Sequence, residues 1–209
     1  MQLIHANASV ESFTPNAEQL IEAAGRTCYK SEGKSDGTLE GAQKFCSGLV
    51  KRGHTAVIEH ASATVRFVVD RGVSHEIVRH RVASYCQEST RYCNYGNGDQ
   101  GVTFIIPNWG DLDCADAEDA MLLWQAAMKT AESVYLELLR KGWTPQQART
   151  VLPNSTKTEV VMTANMREWR HFFQLRCSNA AHPQIQEVAR PLLQVFKTMW
   201  PSLFEDITW

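Results

Sequence analysis

The chain has 209 residues, which fits one globular domain spanning 1–209, and its hydrophobic share of 44% is ordinary for a protein with a packed core. Its 21 lysines and arginines are nearly balanced by 23 aspartates and glutamates, so the net charge is −2 at pH 7. This balance creates no general field that would attract nucleic acid or an anionic membrane. Any affinity for an anion must therefore be local.

The composition also bears on location and on the cysteines. No apolar run approaches the roughly 20 residues that cross a bilayer, and the first residues lack the pattern of a signal peptide, so we expect a cytoplasmic protein without membrane contact. The six cysteines have no paired C-x-x-C spacing, and we interpret them as free thiols. A zinc site built from Cys86, Cys93, His75 and His80 fits no common spacing, so no metal is expected.

Hydrophobic periodicity predicts strands and helices without internal repeats or linkers. In chain order the predicted elements are a strand over 2–7, helices over 18–28 and 39–52, a strand over 62–70, a turn at 71–72, a helix from 75, a strand over 102–106, helices over 115–140 and 145–152, a strand over 157–164, and helices over 166–175 and 183–199. The order does not repeat βαβ units. We therefore expect an α+β fold with helices packed around a mainly antiparallel sheet.

Capping residues and loops mark the ends of several elements. Gly53 is the expected C-cap of the helix over 39–52, and Ser74 and Asn165 are expected N-caps. The Gly- and Ser-rich segment 31–40 is a predicted loop, and the segment 94–101 is a predicted flexible loop that can act as a lid. The helix over 115–140 is interpreted as a core scaffold through Met121, Leu122, Trp124, Met128, Val134, Tyr135, Leu138 and Leu139.

The segment 79–92, RHRVASYCQESTRY, concentrates arginines and hydroxyl side chains. Arginine presents a planar fork of donors that matches phosphate oxygens, and hydroxyls or backbone N–H groups complete such a site. Apolar residues such as Val82 and Ala83 are interleaved with the charges, so part of the segment should be buried, where an arginine needs a partner. The segment therefore predicts an anion site rather than a solvated basic face.

The same segment carries a resemblance. Arg79-His80-Arg81, followed after seven residues by Ser89, resembles the signature of the flavin-dependent thymidylate synthases. Further segments are similar to that family in the same order along the chain, namely GHTAVIEH at 53–60, ARTVLP at 148–153, TANMREWRHFF at 163–173 and LRCSNAAHPQIQ at 175–186. The resemblance therefore covers most of the chain.

The resemblance implies a reaction and its partners. It implies reductive methylation of dUMP to dTMP, with 5,10-methylenetetrahydrofolate as carbon donor and FAD, reduced by NADPH, as hydride source. It also implies a homotetramer whose active sites are shared between subunits. A hydride source is chemistry that no side chain supplies, so the protein's part would be positioning and electrostatics.

The resemblance also assigns residues. The implied substrate-binding residues are Glu76, Ile77, Val78, Arg79, Gln87, Glu88, Ser89, Thr90, Arg91, Arg149 and Arg176, with Ser89, Arg91 and Arg149 at the phosphate. The implied FAD-binding residues are Arg79, His80, Arg81, Gln87, Asn165, Met166, Arg167 and His171. Arg176 is the implied catalytic residue at the pyrimidine, where a cation stabilises negative charge. His54 is implied near the flavin and folate.

Three positions depart from the family pattern. Ala56 stands where a hydroxyl residue is common, a loss of about 1 kcal/mol of hydrogen bonding that Thr55 can offset. His171 replaces an asparagine and Ala180 a histidine found in some relatives. The alternatives left open are the same fold acting on another pyrimidine nucleotide or forming another carbon product, a non-catalytic nucleotide- or RNA-binding module, and a subunit whose flavin site has decayed.

Overall fold

The computed structural model describes residues 1–97, 101–108 and 117–209. Its helices and strands, in chain order, are β1 Gln2–Ile4, β2 Asn7–Phe13, α1 Ala17–Thr27, α2 Leu39–Lys51, β3 Ser62–Asp70, α3 Arg71–Ile77, β4 Ala83–Gln87, β5 Thr103–Ile105, α4 Ala117–Arg140, α5 Pro145–Ala148, β6 Lys157–Asn165, α6 Met166–Arg176, α7 Pro183–Met199 and α8 Pro201–Phe204. Short 3₁₀ helices occupy Glu32–Lys34, Thr55–His60 and Arg149–Val151. Cys114 and parts of the predicted loop 94–101 and helix 115–140 lie outside the described residues.

The main sheet is antiparallel and has four strands in the order β2-β3-β6-β4. Its two central strands pair over their whole length, from Ser62 opposite Asn165 to Asp70 opposite Lys157. Alternate residues of both strands are buried, because one face of the sheet packs on helices and side chains alternate across a strand. The predicted α+β fold with a mainly antiparallel sheet is confirmed, and β1 and β5 add a separate parallel pair.

The main core lies between this sheet and the helices that pack on it, and it includes residues of α1, α2, α3, α6, α7 and α8. Phe67 of β3 contacts the ring of Trp169 on α6, which in turn packs on Phe173 and on Phe196 of α7. These side chains are fully buried. Burial of large aromatic rings dominates core energetics, so this cluster holds α6 rigidly against the sheet. A smaller second core surrounds Tyr135 of α4.

Local sequence signals place several elements correctly. The strand over 62–70 is observed with these bounds, and the helix after Asn165 begins at Met166, with Asn165 Oδ1 accepting from the Glu168 N–H at 2.9 Å. Gly53 follows α2 with φ +72°, a left-handed conformation that glycine adopts without strain, and its N–H donates to Val50 O. The strand bounds and the Asn165 cap are confirmed, whereas the C-cap of α2 is Arg52 and Gly53 is the residue that follows it.

Other predictions were wrong in detail. The predicted strand 2–7 is instead β1 and the start of β2, because the chain changes from one sheet to the other between them. The helix predicted to start at His75 after Ser74 starts at Arg71, since the Asp70 carboxylate accepts from the Val73 N–H and caps it there. The short helix α8 was not predicted.

The predicted core role of α4 is only partly right. Met128 and Tyr135 are buried, whereas Leu122 is 62% and Val134 is 41% exposed. The helix rests on the small second core along one face, where Trp124, Leu138 and Leu139 are partly buried, and the apolar residues outside that face remain on the surface. Among the described residues, none of the helices combines the length and hydropathy needed to cross a membrane.

Candidate active site

The Arg-rich segment begins where α3 gives way to β4. The N–H of His80 donates to Ile77 O, and the Tyr85 hydroxyl lies 2.6 Å from His80 O and 3.0 Å from Ile77 O. This hydroxyl ties the turn to β4 and turns His80 inward, where it is 3% exposed. Arg79 and Arg81 on either side are exposed. Within Arg79-His80-Arg81, the imidazole is therefore buried and the two arginines are exposed to solvent.

His80 is held as a neutral imidazole. Burial, together with the nearby Arg176 charge, lowers the pKa of His80 to about 4. Arg176 Nε–H is only a donor, so His80 Nε2, at 3.1 Å, must be the acceptor. The imidazole proton then lies on Nδ1 and is donated to Glu168 Oε1 at 3.3 Å. The ring also packs on Phe172, with a centroid distance of 4.9 Å.

Arg176, at the end of α6, is clamped by the end of α3. Its Nη1 donates to Glu76 Oε2 at 2.8 Å and its Nη2 to Glu76 O at 3.0 Å. With the contact to His80, three of the five guanidinium N–H groups are used. One N–H on each terminal nitrogen has no acceptor among the described residues. The guanidinium is thus fixed in orientation and keeps two donors for another molecule.

A cavity of about 520 Å³ opens beside His80, within the size range of small-molecule sites. Its lining residues are Thr55, Glu59, Val82, Asn165, Arg167, Glu168, Arg170, His171 and Gln174. Three of the predicted cofactor residues, Asn165, Arg167 and His171, meet there. Arg167 donates to Glu59 Oε1 at 2.6 Å, and the exposed His171 ring lies 5.5 Å from the His80 ring.

The predicted phosphate segment follows β4 and meets Arg149. The Nη1 of Arg149 donates to Thr90 Oγ1 at 3.1 Å, although the two residues are 59 positions apart. Ser89 Oγ accepts from the Arg91 N–H at 3.3 Å, and Arg91 lies over the Tyr92 ring. The fold therefore gathers the predicted phosphate contacts from two segments of the chain.

Gln87 and Glu88 are engaged in contacts with β6. Gln87 Nε2 donates to Ser74 Oγ at 3.0 Å and to Thr158 Oγ1 at 3.3 Å. Glu88 accepts from Lys157 at 3.0 Å and from the Tyr95 hydroxyl at 2.8 Å. These bonds hold the start of the phosphate segment on the sheet.

Other predicted site residues lie apart from these contacts. The side chains of Ile77 and Met166 are fully buried in the main core, so only their backbone atoms can meet a ligand. Val78 is 36% exposed at the end of α3. His54 is exposed, directly before the cavity residue Thr55. None of the hydrogen bonds of the described residues joins the His54 ring to Arg176 or His80.

A second cavity of about 210 Å³ borders α3. It is lined by Asp70, Gly72, Val73, Glu76, Pro107, Asn154, Ser155, His182 and Gln184. Glu76 therefore borders this cavity, while its hydrogen-bond chain through Arg176 and His80 ends at Glu168, which lines the first cavity. The two cavities are connected by one continuous set of polar contacts.

The predicted free thiols are observed for the five described cysteines. Burial raises the pKa of both Cys46 and Cys177 to about 12, which keeps them protonated. The described residues bring His80 together with Glu168 and His171, whose possible metal-ligating atoms lie within 4.8 Å of one another. An ion there would need a lone pair on His80, and the contacts to Glu168 and Arg176 already use both ring nitrogens.

Sequence reasoning missed Glu168 as a site residue. The local pattern indicates a different role, because Asn165-x-x-Glu168 has the spacing of a capping box, in which the acidic residue normally accepts from the backbone N–H of the N-cap residue. Here the carboxylate reaches His80 instead, a contact between residues 88 positions apart. Such a contact depends on packing and leaves no local pattern. Glu59, Arg170 and Gln174 of the cavity were missed for the same reason.

Comparisons with known proteins identify relatives of this chain. A family model described as "Thymidylate synthase complementing protein" matches residues 9–202. The flavin-dependent thymidylate synthase of Geobacter sulfurreducens is 34% identical over 198 residues, covering 92% of this chain and 83% of that protein. That of Corynebacterium efficiens is 34% identical over 210 residues, covering 96% of this chain and 84% of that protein.

The fold is also known from a solved structure. The UMP/dUMP methylase PolB from Streptomyces cacaoi, solved with 5-Br dUMP bound, superposes with a TM-score of 0.81 and 24% identity. The match covers 98% of this chain and 96% of that chain, and at this identity it shows a common fold. With the family model matching nearly the whole chain and relatives a third identical over most of their length, the chain belongs to the family of flavin-dependent thymidylate synthases.

Proposed function

We propose that this chain converts dUMP to dTMP by reductive methylation, with 5,10-methylenetetrahydrofolate as carbon donor and FAD, reduced by NADPH, as cofactor. Membership of the family supports a flavin-dependent thymidylate synthase. The observation that carries the proposal is the held guanidinium of Arg176. It is fixed by Glu76 and His80 and keeps two N–H donors without acceptors among the described residues.

Arg176 is the proposed catalytic residue. A pyrimidine that gains a carbon substituent at C5 must pass negative charge to its ring carbonyl and N3. Two N–H donors on a rigid cation stabilise that charge, and a donor fixed in advance needs no reorganisation during the reaction. The remaining contacts of Arg176 supply this rigidity, since Glu76 binds it through both its carboxylate and its backbone carbonyl.

The first cavity is the proposed flavin site. When bound, the flavin supplies the hydride that no side chain offers. The residues fit this group, because Arg81 directly precedes the cavity residue Val82, and Arg79 and Arg81 are both exposed and have no ion pair among the described residues. Two such guanidinium groups suit a diphosphate. Asn165 and His171 line the cavity and can donate to a polar ring edge.

The phosphate of dUMP is proposed to bind at Ser89, Arg91 and Arg149. The contact of Arg149 with Thr90 supports this, because it holds one cation beside the hydroxyls of the segment. Gln87 and Glu88 anchor the segment to β6 and leave its far end to the ligand. His54 is proposed to act near the folate, at the edge of the flavin cavity beside Thr55.

We further propose that four copies assemble and share active sites. Leu122 and Leu123 of α4 are 62% and 73% exposed, and Tyr92 in the Arg-rich segment is 78% exposed. Large exposed apolar side chains on a helix and beside a site are typical of surfaces that bind another chain. Light scattering of the purified protein measures the assembly, and a monomer at working concentrations would contradict this part.

The test of the function is a stepwise flavin assay. The purified protein is mixed with FAD, its visible spectrum is recorded, and NADPH is added without oxygen, followed by dUMP and methylenetetrahydrofolate. Bleaching of the flavin, then its reoxidation with dTMP formed, is the expected result. Reoxidation of the flavin without dTMP formation would contradict the assignment of dUMP to dTMP conversion. The absence of a flavin spectrum would overturn the proposal in favour of a nucleotide-binding module.

A further inference from the structure

The proposed catalytic residue belongs to a chain of four polar side chains. Glu168 and His80 are 3.3 Å apart, His80 and Arg176 are 3.1 Å apart, and Arg176 and Glu76 are 2.8 Å apart, in each case between hydrogen-bonding atoms. The four side chains come from α3, the turn after it and α6. Each group of the chain except Glu168 was assigned by the family resemblance, so the role of Glu168 is the open question.

The direction of each hydrogen bond follows from the arginine. Arg176 Nε can only donate, so His80 Nε2 must present its lone pair. A neutral imidazole with a free Nε2 carries its proton on Nδ1 and donates it to Glu168. If the proton moved to Nε2, two N–H groups would face each other between His80 and Arg176. The contact that anchors Arg176 Nε therefore exists in one tautomer of His80 only.

Glu168 favours the same tautomer from the other ring nitrogen, Nδ1. Its carboxylate accepts hydrogen bonds and, when ionised, cannot donate one, so it favours a proton on Nδ1. The neighbouring arginines do not compete for it: Arg167 pairs with Glu59 at 2.6 Å, and Arg170 pairs with Asp206 at 2.7 Å. Glu168 is only 9% exposed, so water replaces it poorly as an acceptor.

We propose that Glu168 is a positioning residue that fixes the His80 tautomer and thereby the orientation of Arg176. The proposal rests on the proposed function for its kinetic consequence, because it assigns Glu168 to the same site. Glu168 lines the proposed flavin cavity, and its effect would reach the pyrimidine through the side chains of His80 and Arg176. Phe172 keeps the imidazole plane in place, so the proton position is the variable that Glu168 controls.

Two variants separate orientation from charge. Glu168→Gln keeps an oxygen that can accept from His80 Nδ1 and removes the charge, whereas Glu168→Ala removes the acceptor. Glu22→Ala is the matched control, because Glu22 is also buried and bonded to Arg26 at 2.7 Å, on α1. Loss of the Glu22 carboxylate should lower the stability of the protein without changing the contacts of His80. All variants are studied as full chains with FAD and NADPH at saturation.

The first readout is the tautomer itself. Solid-state ¹⁵N spectra of histidine-labelled protein distinguish a proton on Nδ1 from one on Nε2, and the His80 signals are assigned by their loss in His80→Gln. We expect Nδ1–H in the wild type, in Glu168→Gln and in Glu22→Ala, and a mixed or Nε2–H signal in Glu168→Ala. An unchanged Nδ1–H signal in Glu168→Ala overturns the proposal. This readout needs no turnover, so it decides the tautomer even if the wild type makes no dTMP.

The second readout is turnover. At saturating dUMP, Glu168→Ala should form dTMP about 10- to 100-fold more slowly, the usual cost of a misplaced catalytic group. Flavin reduction by NADPH, a step without the pyrimidine, is measured beside it, and the loss in dTMP formation should exceed any loss in flavin reduction. Glu168→Gln should recover most of the dTMP rate. Equal losses in both variants would assign the effect to charge, and wild-type turnover in Glu168→Ala would remove Glu168 from the role.

Discussion

Replacing Arg176 tests the site most directly, and lysine is the informative replacement because it keeps the charge and loses the fork. A lysine ammonium can reach the Glu76 carboxylate but cannot also serve His80 Nε2 and Glu76 O, which Arg176 binds at 3.1 and 3.0 Å. Two hydrogen bonds are therefore lost. Alanine loses the charge as well and leaves the Glu76 carboxylate unpaired.

The structure sets the size of both effects. The Arg176 and Glu76 side chains are 18% and 29% exposed, so water replaces part of the lost bonding. We expect Arg176→Lys to lower the free energy of unfolding by roughly 2 kcal/mol, less than the about 3 kcal/mol that two fully buried bonds to a charged donor would contribute at the least, because these groups are partly exposed. The loss of fixed donors beside developing charge costs about 10²- to 10³-fold in turnover, and we expect this loss in both variants.

The assay compares flavin binding, dTMP formation and urea unfolding in the same preparations. Flavin absorbance should persist in both variants, because Arg176 lies behind His80 from the flavin cavity. Arg140→Lys is the control, since Arg140 is exposed on α4 and, among the described residues, pairs with Glu137 alone, and it should behave as wild type. Turnover within about threefold of wild type in Arg176→Ala would refute the assignment. Full turnover in Arg176→Lys alone would show that charge suffices without the fork.

Three further predictions follow from individual contacts. Thr90→Val removes the hydroxyl that holds Arg149 and should raise the KM for dUMP about fivefold with an unchanged flavin spectrum; an unaltered KM would contradict the phosphate site. The pKa of His80 is lowered from 6.5 to about 4, so its stabilising contribution is complete above pH 6.5 and is lost as the pH falls to 4. Unfolding free energies of wild type and His80→Gln should therefore differ in pH slope within that window, by about 3 kcal/mol in total; equal slopes would contradict a buried neutral His80. Gly53→Ala places a side chain at φ +72° and should cost about 1 kcal/mol in urea unfolding, whereas Gly33→Ala, with open space around it, should cost less than about 0.5 kcal/mol; equal costs would refute the turn geometry.

The helix start before the Arg-rich segment shows where local reasoning is ambiguous. Both Asp70 and Ser74 are good N-cap residues, and the sequence offers no means to choose between them. In the structure Asp70 ends β3 and caps α3, and Ser74 lies within the helix with its hydroxyl donating to Arg71 O. The position of the strand end in the sheet decided the choice.

The surface of α4 shows a second kind of ambiguity. Its periodicity correctly predicts a helix, yet the same pattern does not say how wide a face is covered. Leu122 and Val134 stay exposed, because the second core beneath α4 is small and touches only one stripe of the helix. How much of a helix is buried depends on the elements packed against it, and the small second core covers only part of α4.

Local signals were sufficient to predict the central strands and most helices, namely the alternation over 62–70, the Asn165 cap and Gly53. The motifs in the sequence also determined the family. Tertiary packing was needed to show which part of Arg79-His80-Arg81 is buried, which ring nitrogen of His80 carries the proton and which groups hold Arg176. These depend on contacts between residues 88 to 100 positions apart, and a hydrogen bond over that separation exists only after the sheet and α6 have packed.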